Sequence, residues 1–259
     1  MEYAGIYLAH ADHCTISENN ASNNGAGIRL DYSSYNNLTG NNASYNNIGI
    51  NLHVSNDNNL TDNTASNNYY DGIYLYASRF NNLTNNTASN NSDVGLTLYY
   101  SYYNILTVNI ASDNSDGIWL YGSFNNNISC NWIHHNNQYG LHLSEGSIPN
   151  TIESNNIMAN GAEQPDGSWH YNFNNSQNDN VTAEENYWGT TSSAVIVASI
   201  NENPGTVDYE PFLTAPAPCA PFEGELEVPE VPILSPVGLI TLVGLLSAIA
   251  AVAIVRKRR

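Results

Sequence analysis

Histidines 134, 135 and 142 lie close enough along the chain to gather on one face, and imidazole binds transition metals and moves protons near neutrality. No motif fixes their geometry, so exposed polar residues are the simpler reading and a metal site the alternative. Cys14, Cys130 and Cys219 include no Cys-x-x-Cys and suggest no zinc site. Cys14 and Cys130 each stand two residues from an apolar position, Ile16 and Ile128, and are expected to point inward as small fillers. Glycoside hydrolysis needs two carboxyl groups a few ångströms apart. There is no Asp-Asp pair, and Glu184 and Glu185 would point to opposite sides of a strand. Asp71 and Asp116 precede glycines, where turn formation accounts for them. Glu163, Asp166 and His170, in or beside a loop expected from Gly161 to Ser168, are the remaining acid–base candidates.

The feature with the most surface chemistry is aromatic, and a repeat positions it. Gly-apolar-x-Leu recurs at Gly5, Gly27, Gly49, Gly72, Gly95, Gly117 and Gly140, at steps of 22 or 23 residues. A phrase of the Asn-Leu-Thr type follows each, and a third, Asn-Ala-Ser-Asn-Asn, is centred on Ala21, Ala43, Ala65, Ala88 and Ala111. A constant short period signals a solenoid. Within each Gly phrase the apolar residues are two apart, as in Ile73 and Leu75, which is strand periodicity. Asn, Ser, Asp and Gly between the phrases make turns. No window before residue 230 has the spacing of an amphipathic helix. The expectation is an all-β, right-handed parallel β-helix of about eight coils, three short strands per coil, with like aliphatics stacked in interior rows. Asn is read as a corner device, because it enters the left-handed region readily and can bond the same Asn one coil on. The outward positions of coils four to six then align Tyr74, Tyr76, Tyr99, Trp119 and Tyr121 on one strip, with Arg79 close enough to meet an acidic sugar. Tyr and Trp can stack on sugar rings while their polar tips hydrogen-bond hydroxyls. The competing reading is that aromatics merely favour strands and shield their neighbours.

These coils resemble the right-handed parallel β-helix superfamily that includes pectate lyases, other carbohydrate-active domains, and the periplasmic copper-binding protein of nitrous oxide reductase maturation. The resemblance covers residues 1 to about 213 and includes Asn186-Tyr187-Trp188-Gly189 and Val207-Asp208-Tyr209-Glu210-Pro211-Phe212 near its end. Tyr187, Trp188 and Phe212 are expected to close the last coil. The resemblance implies three functions. One is structural, adhesive or glycan-binding. One is a polysaccharide lyase or epimerase, whose lyase version uses a cationic base and carboxylate-held calcium. One is copper binding, for which His134, His135 and His142 are the available ligands. Only Arg29 and Arg79 could serve the lyase role, and they lie two coils apart, so an enzyme is the less favoured reading. No cofactor is expected beyond an optional divalent cation.

The chain carries 24 acidic and 6 basic residues, and four of the basic ones are the last four. So acidic a surface repels nucleic acid and anionic lipid. Residues 233 to 255, ILSPVGLITLVGLLSAIAAVAIV, carry no charge and are long enough as a helix to cross a hydrocarbon core of about 30 Å. The basic end would stay in the cytoplasm and leave the coils outside. Residues 214 to 232 read as a Pro-rich acidic stalk. Pro229 and Glu230, before the apolar stretch, resemble PEP/PEF-type sorting signals, which implies processing by an exosortase or archaeosortase and an archaeal or bacterial surface protein. Asn-x-Ser/Thr sequons at Asn20, Asn37, Asn42, Asn59, Asn82, Asn85, Asn90, Asn127, Asn174 and Asn180 are candidate glycosylation sites. Met1 falls mid-coil with no secretion signal, so the true start is expected upstream. The combined expectation is a surface-anchored protein that holds polysaccharide or packs into a surface layer.

Overall fold

The computed structural model describes residues 3–162 and 171–221. The expected loop beyond Ala162 (Glu163, Asp166 and His170 included), Pro229 and Glu230, and the apolar stretch 233–255 lie outside the described residues. Among those described, no helix is long and apolar enough to cross a membrane.

Each Gly phrase forms one strand of a parallel sheet. The sheet stacks Ala4–Ala9, Ala26–Asp31, Ile48–His53, Ile73–Tyr76, Val94–Tyr99, Asp116–Tyr121, Tyr139–Ser144, Phe173–Asn175 and Ile200–Glu202 in chain order. A second sheet stacks the Asn-Leu-Thr phrases from Thr15–Ser17 to Thr151–Glu153. The third phrases form regular strands only from Thr87–Ser89 through Ile110–Ser112, Trp132–His134 and Asn156–Met158, while earlier coils have single bridges such as Asn20 with Asn42. The result is a parallel β-helix of about nine coils, one more than the eight expected. Seven carry the Gly phrase, and two further strands, Phe173–Asn175 and Ile200–Glu202, carry no recognisable phrase.

The interior is a set of one-residue rows. Ile28, Ile50, Ile73, Ile118 and Leu141 form one, Leu30, Leu52, Leu75, Leu98 and Leu120 another, and Leu38, Leu60, Leu83 and Leu106 a third, all fully buried. Two repeated residue choices explain each other. A Cβ at Gly95 would lie 2.6 Å from the Gly117 carbonyl oxygen, and one at Gly49 would lie 2.8 Å from the Ala65 Cβ. The glycine row and the alanine row therefore face each other where there is no room for larger side chains.

Asn serves the corners in both expected ways, taking left-handed positions such as Asn67 and Asn90 and bonding the equivalent Asn one coil on, but different Asn residues do the two tasks. The left-handed residue is the one before the inward-facing Asn or Ser, and it need not be Asn: Tyr32, Tyr35, Tyr103 and Val108 have φ of 50°, 59°, 58° and 60°. The next residue turns inward. Asn ladders and a Ser ladder (Ser33, Ser55, Ser78, Ser101, Ser123) run along the rod. In each Asn ladder, Oδ1 accepts from the backbone N–H and Nδ2 of the preceding coil's Asn, as Asn63 does from Asn41 at 3.0 and 2.9 Å. The Nδ2 in turn donates to a carbonyl one coil back, as Asn63 does to Leu38 at 2.9 Å. Asn repeats because its amide supplies both donors and an acceptor to a buried corner.

The end of the rod holds two further differences. A helix, Ser193–Ala198, forms where none was expected and buries Ile196 in the core. Trp188 is buried with its ring 6.2 Å from Phe173, and Tyr209 and Phe212 pack against the core. Residues 214–221, the expected start of the stalk, pack on the rod: Ala217 is buried and its N–H donates to Asn156 Oδ1 at 2.7 Å. Cys219 is disulfide-bonded to Cys130. Cys130 is thus not an interior filler; it occupies a left-handed corner position with φ 57° and faces outward. Cys14 is free and half-buried.

Candidate functional site

The register of the first sheet brings the aromatic strip together in two rows. Tyr74, Thr97, Trp119 and His142 are successive Cα partners in one, and His53, Tyr76, Tyr99, Tyr121 and Ser144 in the other. In the second row the rings stack face to face along the rod, with centroids 5.1, 5.6 and 4.5 Å apart and interplanar angles of 10°, 14° and 1°. The spacing follows from the distance of ~4.8 Å between neighbouring strands. This changes what the strip offers. The ring faces are spent on one another, so what faces solvent is ring edges and a line of hydroxyl tips. Trp119 meets Tyr121 edge-on at 5.8 Å, and its Nε1–H donates to Ser144 Oγ at 3.0 Å. Burial, with the Asp71 charge next, pushes the Tyr74 hydroxyl up to about 12, so it stays a donor.

The aromatic face continues onto the first corner, which sequence reasoning missed. Tyr100 packs edge-on against Tyr99 and Tyr121, Phe80 stacks on Tyr103 at 5.1 Å, and Tyr102 on Phe124 at 4.2 Å. The signal was the run Tyr99-Tyr100-Ser101-Tyr102-Tyr103, hidden by treating residues outside strands as turn filler. Arg79 belongs to this corner: its guanidinium carbon lies 5.1 Å from the Tyr102 ring centre.

At the other edge of the strip stands a polar group that turn formation does not account for. Asp71 is buried and accepts from Thr97 Oγ1 at 3.0 Å; burial, then the Asp93 charge, raises its carboxyl to about 7 against the lowering effect of that hydroxyl. Asp93 is raised by burial and by Asp116. Asp116 Oδ2 lies 3.0 Å from His142 Nδ1, and His142 Nε2 lies 3.0 Å from Ser176 Oγ. Asp116 Oδ1 is buried with no hydrogen-bond partner. The stacking of Trp119 on one side of His142, at 5.7 Å, and the edge of Tyr139 at 5.0 Å join this group to the strip.

The three histidines do not share a face. His142 lies on the first sheet and His134 on the third. His134 Nδ1 is 2.7 Å from His135 Nδ1, and burial lowers His134 to about 4, with the neighbouring imidazole adding to the effect. Among the described residues no group of three His, Cys, Asp or Glu side chains is arranged to hold a metal, and His142 does not join His134 and His135. Of the sequons, Asn20, Asn37, Asn42, Asn85, Asn90 and Asn180 are exposed, while Asn59, Asn82 and Asn127 are half-buried. Asn174 is buried at 3% exposure and accepts from Asn201 Nδ2 at 2.8 Å, which leaves it no room for a sugar.

Residues 2–198 match the family described as periplasmic copper-binding protein (NosD). No curated protein sequence matches the chain. The structure is similar to that of the periplasmic alginate epimerase AlgG, with a TM-score of 0.59 and 18% identity over 80% of this chain and 50% of that one. It is also similar to the A-modules of the Azotobacter vinelandii mannuronan C-5 epimerases AlgE4 and AlgE6. The AlgE4 match has a TM-score of 0.56 and 20% identity over 78% of this chain and 57% of that one. The AlgE6 match has a TM-score of 0.53 and 18% identity over 82% and 58%. The chain thus spans about half the length of these structures, and at such identity the likeness is one of fold.

Proposed function

This chain belongs to the periplasmic copper-binding protein (NosD) family, and we propose that it is an extracytoplasmic rod that binds glycan along the aromatic strip and its corner. The observation that carries this reading is the continuous row Tyr76, Tyr99 and Tyr121 beside Tyr74 and Trp119. It repeats hydroxyl tips and ring edges once per coil, so an extended chain of hydroxyl-bearing units lying along the rod meets the same chemistry at each step. The polar edge selects the glycan. Asp71, Asp93 and Asp116 crowd one side, whereas Arg79 sits alone on the opposite corner over Tyr102. A uronate polymer would be repelled along most of its length, and a neutral glycan would not.

The disulfide supports an extracytoplasmic setting, since such bonds persist outside the reducing cytoplasm. The same reading has the uncharged stretch 233–255 and the basic end hold the rod at the cell surface, with Pro229 and Glu230 as a processing signal and exposed sequons such as Asn85 and Asn90 as glycosylation sites. The test is binding of the full chain, in detergent, to matched neutral and uronic polysaccharides. Trp119→Ala with Tyr121→Ala is expected to weaken neutral-glycan binding at least tenfold and leave the circular dichroism spectrum unchanged. Preference for the uronic polymers, or binding indifferent to the double substitution, would remove the strip as the site.

A further inference from the structure

Asp116, His142 and Ser176 come from three successive coils and make a continuous relay. The Asp116 carboxylate faces His142 Nδ1 at 3.0 Å, so Nδ1 carries the proton and donates. That fixes the tautomer: Nε2 presents its lone pair, and Ser176 Oγ stands 3.0 Å from it. The Ser176 hydroxyl also lies 3.1 Å from the Leu143 carbonyl oxygen, an alternative acceptor within the same reach. The degree of cover suits each role. The Asp116 and His142 side chains are 12% and 17% exposed, whereas Ser176 is open to solvent. Trp119 and Tyr139 wall the imidazole, so the ring has little freedom to swing away from the serine. A turn residue needs none of this, and the unpartnered buried Oδ1 of Asp116 costs stability that a purely structural aspartate would avoid.

We infer that Ser176, His142 and Asp116 form a nucleophilic relay that hydrolyses acyl esters, and that the substrate is an O-acylated neutral glycan lying on the aromatic strip. In the first step Ser176 Oγ bonds to the acyl carbon while its proton passes to His142 Nε2. The ester C–O bond then breaks, and the departing sugar oxygen takes that proton, leaving the acyl group on Ser176. Water, its proton taken by Nε2, attacks the acyl-serine, and Ser176 leaves with the proton restored. The sum is ester plus water giving carboxylic acid plus sugar hydroxyl, with no redox change and no metal. Ser176 and His142 are the catalytic residues. Asp116 is a positioning residue that acts through the imidazole.

The relay stands on its own geometry; the glycan part rests on the strip reading, and the experiment separates them. The full chain in detergent is treated with a fluorophosphonate probe and digested, and the adduct is located by mass spectrometry. Hydrolysis of 4-nitrophenyl acetate and release of acetate from an acetylated neutral glycan are followed on the same preparation. The expected result is an adduct on Ser176, abolished in Ser176→Ala and retained in Ser192→Ala, an exposed serine that is no member of the relay. Asp116→Asn is expected to lower acetate release roughly 10³-fold or more by allowing the wrong tautomer, and to change the pH profile, which a merely structural loss would not do. Absence of an adduct on Ser176 in wild-type protein with an intact circular dichroism spectrum would overturn the relay. An adduct and 4-nitrophenyl acetate turnover without acetate release from a glycan that binds would leave the relay standing and overturn the assigned substrate. No glycan binding at all would count against the strip instead.

Discussion

Replacing Asn104 by alanine tests the idea that buried amide ladders, more than the apolar rows alone, hold the corners in register. Asn104 is fully buried. Its Oδ1 accepts from Asn81 N–H at 2.9 Å and Asn81 Nδ2 at 3.1 Å, and its Nδ2 donates to the Ser78 carbonyl at 3.0 Å and to Asn126 Oδ1 at 3.1 Å. The substitution deletes four hydrogen bonds and leaves the Asn81 N–H unpaired in a dry corner. At about 1 kcal/mol net for each bond, with the unpaired donor costing more, the loss is about 4–5 kcal/mol. The matching control is Asn90→Gly, an exposed corner residue with φ 58°, where glycine tolerates the backbone and the change should stay within about 0.5 kcal/mol. Urea unfolding followed by circular dichroism reads both. Because Tyr102 and Tyr103 flank this corner, the variant should also weaken glycan binding. If Asn104→Ala costs no more than Asn90→Gly, the ladders are ornaments of a core that holds itself, and the reasoning fails.

Two further outcomes follow from particular residues. Asp71 is raised to about 7 from 3.8, chiefly by burial, so the folded chain keeps a proton that the unfolded chain releases. Its contribution is therefore full below about pH 4 and is lost as pH rises to 7, on the order of 4 kcal/mol in all; urea midpoints at pH 5 and pH 8 should differ less in Asp71→Asn than in wild type, and an unchanged difference would refute the assignment. The Cys130–Cys219 bond closes a loop of 89 residues, worth about 4.5 kcal/mol at most by chain entropy. Reduction, or Cys219→Ser, should open residues 214–221 to limited proteolysis, whereas equal cleavage of the oxidised protein would show that the disulfide does not hold this segment.

The strip shows how far one sequence carries. Tyr74, Tyr76, Tyr99, Trp119 and Tyr121 were legible as one outward face, because strand alternation and a constant coil length suffice to place them. That the rings would stack on each other and present edges was not legible, since it depends on side-chain rotation over a fixed strand spacing. The corner aromatics were missed for a related reason: residues such as Tyr100 and Tyr103 sit at left-handed positions that sequence rules reserve for Asn and Gly, and the residue after each is held by a ladder side chain of the next coil, the Ser123 hydroxyl for Ser101 and the Asn126 amide for Asn104.

The sequence by itself determined the coil, its period and its interior rows, because in a solenoid each layer meets only copies of itself and local pattern is nearly the whole of the interaction. The tertiary structure alone decided the contacts that break this rule. Cys219 reaches Cys130 across 89 residues once the terminal segment folds back along the rod. Ser176 reaches His142 because Phe173–Asn175 pairs in register with Leu141, His142 and Leu143, which no repeat phrase marks. Asp116 meets His142 by the offset between adjacent coils. Period fixes which residues share a row; only the packed coils fix which rows touch at their edges, and the chemistry sits at those edges.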